Sequence, residues 1–168
     1  AQQGQMNEGI TSTKLGLKGI PKLAEEIQLA RDLQLCEYTE SRVHFSTLST
    51  AESVKLIRDA KAKGLNVTAD TSSYHLLLND TELEGFNSNL KVNPPLRSSK
   101  DIKALKAALK DGTIDAICSD HYPQNIENKK CEFDIAAFGM INLETSFAVA
   151  NTALKETLST EELITKLT

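Results

Sequence analysis

The chain has 168 residues, of which 40% are hydrophobic and 25% are charged, and its formal net charge is −4. These values predict one globular domain with a sizeable core, and they give no reason to expect nucleic-acid binding or a membrane span. Nothing in the sequence resembles a secretion signal. The three cysteines are widely spaced, so the sequence predicts neither a disulfide framework nor a zinc-type cysteine pair. This cysteine usage favours a cytoplasmic setting.

Hydrophobic periodicity and turn residues divide the chain into alternating strands and helices. In chain order, we predict a polar stretch without regular structure (1–13), a loop (14–21), a helix (22–35), a strand (42–48), a helix begun by a Ser49–Glu52 capping box and ended by Gly64, a strand (65–69), a loop (70–75), a strand (90–92), a helix (98–111), a strand (114–119), a charged loop (124–134) and a helix (142–157).

This alternation is typical of a parallel α/β fold. The pattern alone allows half of a (βα)₈ barrel or a small doubly wound sheet. The sequence contains neither a Gly-x-Gly-x-x-Gly nor a Gly-x-x-x-x-Gly-Lys loop, which argues against a nucleotide-binding module. A capping box at Ser159 and Glu162 begins a last helix about two turns before the final residue. We therefore expect residues 1–168 to be one partial barrel domain, truncated at both ends.

The strand predicted before Pro123 ends in Asp120 and His121. In parallel strand–helix units, the carboxyl ends of the strands open into the ligand crevice. A carboxylate there can bind a metal, act as a base or cap a turn. Taken alone, Asp120 is best interpreted as a turn residue, because Asp is common in loops.

A set of short motifs changes that interpretation. They occur in one order along nearly the whole chain: Met6-Asn7-Glu8-Gly9, Leu15-Gly16-Leu17, Gly19-Ile20-Pro21, Ser49-Thr50-Ala51-Glu52-Ser53, His75-Leu76-Leu77-Leu78, Lys91-Val92-Asn93-Pro94-Pro95-Leu96-Arg97, Asp111-Gly112-Thr113-Ile114-Asp115-Ala116-Ile117, Asp120-His121, Phe138-Gly139 and Leu143-Glu144-Thr145. In these motifs the chain resembles the dihydroorotases of the amidohydrolase superfamily.

The resemblance implies the C-terminal half of a (βα)₈ barrel with zinc at the carboxyl ends of its strands. It also implies interconversion of carbamoyl-aspartate and dihydroorotate in pyrimidine biosynthesis, for which zinc activates water and polarises the amide carbonyl. By resemblance, Asp120 ligates the metal and moves the proton, and Asn93 binds substrate. The backbone of Ala137 and Gly139 corresponds to a segment that holds the ring amide of the substrate. Taken alone, Asn93 is a turn residue before two prolines.

The chain departs from the family pattern at the metal site. Thr47 and Tyr74 occupy the two positions where the family has zinc-binding histidines, and a hydroxyl and a phenol are poor zinc ligands compared with imidazole. On the substrate side, Gln124 replaces a histidine and the bulky Tyr122 replaces a small residue. Zinc is therefore expected by family resemblance but predicted to be absent from this chain.

The three histidines of the chain offer no obvious replacement. His44, His75 and His121 lie outside the ligand positions of the family. His44 lies inside its predicted strand, and we expect His75 to point into packing. A substitute zinc site is therefore disfavoured, because catalytic zinc requires three well-oriented protein ligands.

Two functional hypotheses follow. The first is a degenerate dihydroorotase-like protein without a metal site, which acts as a scaffold or partner, with aspartate transcarbamoylase as a candidate partner. The alternative is an active zinc-dependent cyclic amidohydrolase whose other ligands come from the remaining barrel half. In either case we expect the strand edges to pack against that half or against another subunit.

Overall fold

The computed structural model describes residues 4–168, so the first three residues of the predicted polar stretch lie outside it. Within that range, no helix is long and apolar enough to span a membrane. The strands are β1 (Met6–Asn7), β2 (Gly19–Ile20), β3 (Val43–Phe45), β4 (Val67–Ser72) and β5 (Ala116–Cys118). The helices are α1 (Ile10–Leu15), α2 (Leu23–Thr39), α3 (Ala51–Ala62), α4 (Ser99–Asp111), α5 (Ile126–Lys129), α6 (Ser146–Leu154) and α7 (Thr160–Leu167).

The central sheet is parallel and has the strand order β3-β4-β5. Val43 is paired with Val67 in β4, and Asp70 of the same strand is paired with Ala116 in β5. A separate parallel pair is formed by β1 and β2. The predicted parallel strand–helix units are therefore present, and the carboxyl ends of β3, β4 and β5 lie side by side.

Two apolar clusters hold the helices against this sheet. The larger one contains buried side chains from α3, α4, β5, α6 and α7, together with Leu76 and Ile114 from the connecting segments: Val54, Leu105, Ala108, Leu109, Ile117, Ala150, Ala153, Leu154 and Leu163. The second one contains side chains from α2, α3 and β4, together with Leu48 from the loop after β3: Leu29, Leu33, Cys36, Ile57, Ala60, Val67 and Ala69. Burial of these side chains stabilises the layer of helices that positions the strand ends.

Helix capping follows the sequence at α4 but not at α3. Ser98 and Asp101 form a capping box at the start of α4, as their spacing suggests. At α3 the predicted capping box of Ser49 and Glu52 is wrong, because the hydroxyl of Thr50 accepts the Ser53 N–H and caps the helix instead. The Ser49 hydroxyl is engaged elsewhere, since it donates to the Glu25 carboxylate of α2.

The predicted strand over 90–92 is wrong. Leu90 ends a 3₁₀ turn, Ser88–Leu90, and the Lys91 N–H donates to the Ser88 carbonyl. No strand separates β4 from β5, which pair directly. The apolar side chains that suggested a strand are used for packing, since Val92 is buried in a cluster with Tyr74 and is partly covered by Leu90.

Residues 4–21 and the segment predicted as a loop over 70–75 contain more regular structure than predicted. Residues 4–21 include β1, α1 and β2, although their polar, glycine-rich sequence suggested none. The predicted loop over 70–75 is wrong as well, since β4 continues to Ser72 and a 3₁₀ turn covers Ser73–Leu76. Polar residues are accommodated in this buried strand because they are hydrogen-bonded, as when the Thr71 hydroxyl donates to the Leu48 carbonyl at 2.8 Å.

Candidate metal and substrate site at the strand ends

The residues that follow β3, β4 and β5 converge at one edge of the sheet. Thr47 follows β3, Tyr74 lies in the turn after β4, and Asp120 follows β5. The Tyr74 phenol donates a hydrogen bond to the Asp120 carboxylate. The Thr47 hydroxyl lies 3.9 Å from the thiol of Cys118, two residues before Asp120. The three positions assigned to the metal site by resemblance therefore share one crevice.

The Tyr74 phenol is held in its protonated form. Its side chain is 2% exposed. Burial, and next the hydrogen bond to Asp120, raise the pKa of Tyr74 far above its usual value. A metal is bound well by a phenolate but poorly by a phenol. Tyr74 therefore acts as a hydrogen-bond donor to Asp120 rather than as a ligand beside it.

Asp70, at position four of β4, organises the end of β3. Its Oδ1 accepts the Thr47 N–H at 2.6 Å, and its Oδ2 accepts from Ser46 Oγ at 3.1 Å and from His44 Nε2 at 2.9 Å. Sequence reasoning placed Asp70 in a loop and gave it no role. One sequence feature could have predicted a role for Asp70: its carboxylate directly follows the apolar run of a buried strand, where a charged group needs hydrogen-bond partners.

The backbone is left-handed at two of the three positions. Thr47 has a φ of 56° and Asp120 a φ of 45°. Residues with a Cβ rarely adopt this region, at a cost of about 1–3 kcal/mol each, and such residues concentrate at functional sites. The main chain therefore keeps a strained geometry that presents side chains 47 and 120 at the crevice.

His75 is a packing residue, as expected. Its ring is 2% exposed, with Nδ1 2.7 Å from Ser72 Oγ and Nε2 3.1 Å from the Pro94 carbonyl. Nε2 therefore carries the proton and donates, while Nδ1 accepts. Burial lowers the pKa of His75 to about 4. The neutral ring is thus part of the fold and has no free nitrogen for a metal.

This burial predicts a pH dependence of stability. An unfolded His75 has a pKa of about 6.5, so between pH 6.5 and 4 the unfolded state binds more protons than the folded state. The free energy of unfolding should be unaffected by His75 above pH 7, and should fall by up to about 3 kcal/mol as the pH falls from 6.5 to 4. Urea unfolding at several pH values measures this slope. The variant His75→Gln should have a lower free energy of unfolding but a flatter profile from pH 6.5 to 5, and an unchanged slope would contradict the assignment.

The other two histidines are also engaged in the fold. His44 is bonded to Asp70, and its Nδ1 lies 2.8 Å from Thr68 Oγ1. His121 Nδ1 accepts the backbone N–H groups of Asn142 and Leu143, both at 3.1 Å. These contacts tie the loop after β5 to the segment before α6, and they do not bring the three rings to one metal position.

The donor set does not fit a zinc ion. Between residues 4 and 168, the structure contains no group of three His, Cys, Asp or Glu side chains that could hold a metal. At the family positions, a hydroxyl and a protonated phenol flank the carboxylate of Asp120. Cys118 adds no thiolate at neutral pH, because burial, with Asp70 as the next cause, raises its pKa to about 12.

Asn93 lies where two cavities adjoin. A cavity of about 200 Å³ is lined by Tyr74, Val92, Asn93, Asp120, Tyr122, Phe138 and Gly139. A larger one of about 630 Å³ extends toward α2 and includes Thr47, and Asn93 and Phe138 line it as well. The structure thus brings Asn93 into the same crevice as Asp120, where the resemblance places a substrate-binding residue.

The main chain at Ala137 and Gly139 is hydrogen-bonded within the protein. The Ala137 N–H donates to the Asn128 carbonyl and the Gly139 N–H to the Lys91 carbonyl, both at 2.9 Å. The two carbonyl groups accept from Lys129 Nζ at 2.8 and 2.9 Å. Both predicted substrate-binding residues therefore have internal partners for their amide hydrogens.

The two substitutions on the substrate side reinforce this arrangement. Gln124 Nε2 donates to the Phe138 carbonyl at 3.0 Å. Tyr122 packs against Gly139, which has a φ of 132°, so closely that a Cβ at position 139 would collide with the Tyr122 carbonyl. Sequence reasoning identified both substitutions but not the contacts they form, nor the buried Lys129 beneath the segment.

The sequence comparisons confirm the resemblance. A dihydroorotase from Ruminiclostridium cellulolyticum is 51% identical over 167 residues, which are 98% of this chain and 39% of that protein. A dihydroorotase from Pelobacter propionicus is 49% identical over 148 residues, which are 88% of this chain and 35% of that protein. The chain thus spans little more than a third of the length of these relatives. No protein-family model matches it.

Solved structures confirm the fold class. A dihydropyrimidinase from Brevibacillus agri superposes with a TM-score of 0.81 at 23% identity, over 99% of this chain and 37% of that one. A dihydroorotase from Saccharomyces cerevisiae in complex with 5-fluoroorotic acid superposes with a TM-score of 0.75 at 21% identity. The superposition covers 87% of this chain and 42% of that one. At these identities the likeness concerns the fold alone. The strand–helix units of this chain have the fold of the matching part of each of these two structures.

Proposed function

Since this chain is homologous to the dihydroorotases over nearly its whole length, we propose that it is part of a dihydroorotase-like protein of pyrimidine biosynthesis that lacks a working zinc centre and serves as a scaffold or partner. One observation carries the proposal. The carboxylate that should bind zinc and move the proton, Asp120, accepts a hydrogen bond from a buried, protonated phenol at the position of a zinc ligand.

The chemistry explains why this contact matters. Ring closure and opening of a cyclic amide require an activated water and a polarised carbonyl, which the metal supplies in this family. A single carboxylate without imidazole neighbours holds zinc weakly. Asp120 is in addition engaged by Tyr74, so metal binding would have to break a buried hydrogen bond.

The substrate side supports the same proposal. In the segment 137–139, all three carbonyls accept from side chains of the protein, namely Lys129 and Gln124. A substrate amide that needs these groups would compete with internal bonds. A site that satisfies its own polar groups is well suited to structural rigidity rather than to turnover.

The candidate partner is aspartate transcarbamoylase, on the ground of family resemblance. Among the described residues, β3 and β5 each pair with β4 alone, so each has one free edge. Free parallel edges favour further pairing, either with the remaining barrel half or with another subunit. A cytoplasmic location belongs to the proposal, since Cys36, Cys118 and Cys131 are all unpaired thiols.

The rival function is an active, zinc-dependent cyclic amidohydrolase. The left-handed backbone at Thr47 and Asp120 favours it, because strain of this kind is retained where side-chain direction matters. In that case the zinc ligands would come from the remaining barrel half, with Asp120 completing the shell.

Metal content and turnover of the full-length protein distinguish the two functions. The protein, purified and then dialysed against buffered zinc, should contain far less than one zinc per chain and should not form dihydroorotate from carbamoyl-aspartate. A dihydroorotase prepared in parallel is the positive control. One zinc per chain, with turnover that is abolished in Asp120→Ala, would instead establish the enzyme.

A further inference from the structure

The outer face of α4 carries a row of four lysines that the site at the strand ends does not use. They follow one another at spacings of three and four residues, which places them on one side of the helix. Three of the side chains are exposed and Lys106 is half-buried. The opposite side of α4 belongs to the larger apolar cluster. We call this set the lysine row: Lys100, Lys103, Lys106 and Lys110.

Helix α4 does not neutralise this charge itself. Its two carboxylates are engaged by other elements, because the buried Asp101 pairs with Lys22 and Asp111 pairs with Arg58 at 2.7 Å. The formal net charge of the whole chain is −4, so the lysine row is a local excess of the opposite sign. A local excess of positive charge attracts carboxylates.

The lysine row is unfavourable for the helix that carries it. Like charges three or four residues apart repel each other on a helix surface. Lys100 lies in the first turn of α4, where a cation also opposes the helix dipole. Surface charge that serves solubility alone is usually a mixture of both signs. A binding role explains why one face of α4 keeps four charges of one sign.

The position of α4 keeps this face on the outside of the fold. Along the chain α4 connects β4 to β5, and its buried side shares the larger apolar cluster with α3, α6 and α7. Further strands would join at the free edges of β3 and β5, and these edges do not lie under the outer side of α4. The lysine row is separate from the strand-end crevice, so the inference goes beyond the proposed function and does not depend on the zinc centre.

The surroundings of the lysine row indicate which kind of partner fits. Carboxylates border it, since Asp111 is 45% exposed and the exposed Glu162 of α7 lies within electrostatic range of Lys110. A broad anionic surface, such as duplex nucleic acid or a layer of lipid headgroups, would meet these carboxylates as well. Helix α4, which is described along its whole length, contributes no exposed large apolar side chain of the kind that membrane-bound helices insert. A narrow acidic ridge matches the lysine row better.

We propose that the lysine row is a docking surface for an acidic helix of another protein. Carboxylates that recur every three or four residues on such a helix pair with successive lysines, because both surfaces repeat at about 5.4 Å per turn. The lysine row spans about 15 Å, or nearly three turns. Pairs of this kind fix the register and the orientation of the partner more than they add affinity.

Two synthetic helical peptides test the proposal with the full-length protein. One has Glu at every third or fourth position along one face, and the other has the same composition with its Glu residues distributed around the helix. Fluorescence anisotropy at low salt should show at least about fivefold tighter binding of the first peptide, and about 0.5 M salt should remove most of that binding. Equal binding of the two peptides would overturn the proposal, because no register would then be recognised.

Other probes exclude the other occupants. Duplex DNA and vesicles of phosphatidylserine and phosphatidylcholine should bind more weakly than the first peptide, and tighter binding of either would overturn the proposal in favour of that class. Acetylation of the protein alone, read by mass spectrometry, should modify Lys103 and Lys110 as fast as the exposed Lys63. Protection of the two lysines of α4 would also overturn the proposal, since another part of the protein or a second copy would then cover the lysine row.

Variants assign the contacts. The α4 variant, which has Gln at all four positions, should bind the first peptide at least about tenfold more weakly. Its thermal midpoint should be unchanged or higher, because the repulsion along α4 is removed. The control variant replaces four exposed lysines elsewhere and therefore has the same net charge: Lys14→Gln, Lys63→Gln, Lys130→Gln and Lys155→Gln. It should bind the peptide less than about twofold more weakly. Equal losses in the two variants, or a lower thermal midpoint of the α4 variant, would overturn the proposal.

Discussion

The double variant Thr47→His, Tyr74→His is expected to bind zinc at least about 100-fold more tightly than the unsubstituted protein. The two positions lie at neighbouring strand ends, with Tyr74 bonded to Asp120 and Thr47 beside Cys118, so two imidazoles there would give the His, His and carboxylate set that zinc accepts. Removal of the phenol also frees Asp120 Oδ2. Changes outside the ligand shell alone alter metal affinity by about 10–100-fold, so two new ligands should exceed that. Competition with a chromophoric chelator measures the affinity, in the full-length protein.

The matched control is Tyr74→Phe, which frees Asp120 and adds no ligand. It should bind no more zinc than the unsubstituted protein, and each single histidine variant should lie between it and the double variant. Catalysis need not return, because Gln124 and Tyr122 still occupy the substrate side. Zinc binding by Tyr74→Phe equal to that of the double variant would show that the phenol, rather than the missing imidazoles, excludes the metal.

The variant Arg97→Met is expected to lower the free energy of unfolding by about 3–5 kcal/mol. Arg97 is 2% exposed and joins separate parts of the chain. Its guanidinium donates to Ser49 Oγ, Asn7 Oδ1 and the Ile20 carbonyl, each at 3.0 Å, and lies 3.6 Å from the Glu25 carboxylate. Burial lowers the pKa of Arg97, yet a guanidinium stays charged at neutral pH. Removal of it leaves Glu25 without its buried cation.

An exposed arginine provides the comparison. Arg58 pairs with Asp111 at 2.7 Å, and the two side chains are 46% and 45% exposed. Arg58→Met should therefore change stability by less than about 1 kcal/mol. Urea unfolding, read from both midpoint and slope, measures the two variants. A combined Glu25→Gln, Arg97→Met protein should lose less than the sum of the single losses, because the groups share one network. Equal effects of Arg97→Met and Arg58→Met would rule out this network as a major source of stability.

The segment from Lys91 to Arg97 combines two different properties. Asn93 and Arg97 both come from the run that identifies the family. Asn93 lines the cavity, whereas Arg97 joins the N-terminal segment at Asn7 to Glu25 of α2. The motif is thus partly a binding feature and partly a structural one, and residue identity alone does not separate these roles.

The sequence by itself determined the fold class and the family, and it predicted altered ligands at Thr47 and Tyr74. These depend on local information. The α4 helix begins at a capping box and is followed by Gly112 with a φ of 80°, and both features are readable from a few neighbouring residues. The substitutions Thr47 and Tyr74 were likewise recognisable from short motifs.

Only the tertiary structure decided what those substitutions do. The bond between Tyr74 and Asp120 joins residues 46 positions apart, and the bond between Arg97 and Asn7 spans 90 positions. The tertiary structure also decided that residues 90–92 do not form a strand, because an apolar run can pack in a turn as well as in a sheet. Local patterns encode periodicity and caps, because these depend on near neighbours. The partner of a buried polar group depends on how distant segments meet, and that follows from the packing of the whole sheet and its helices.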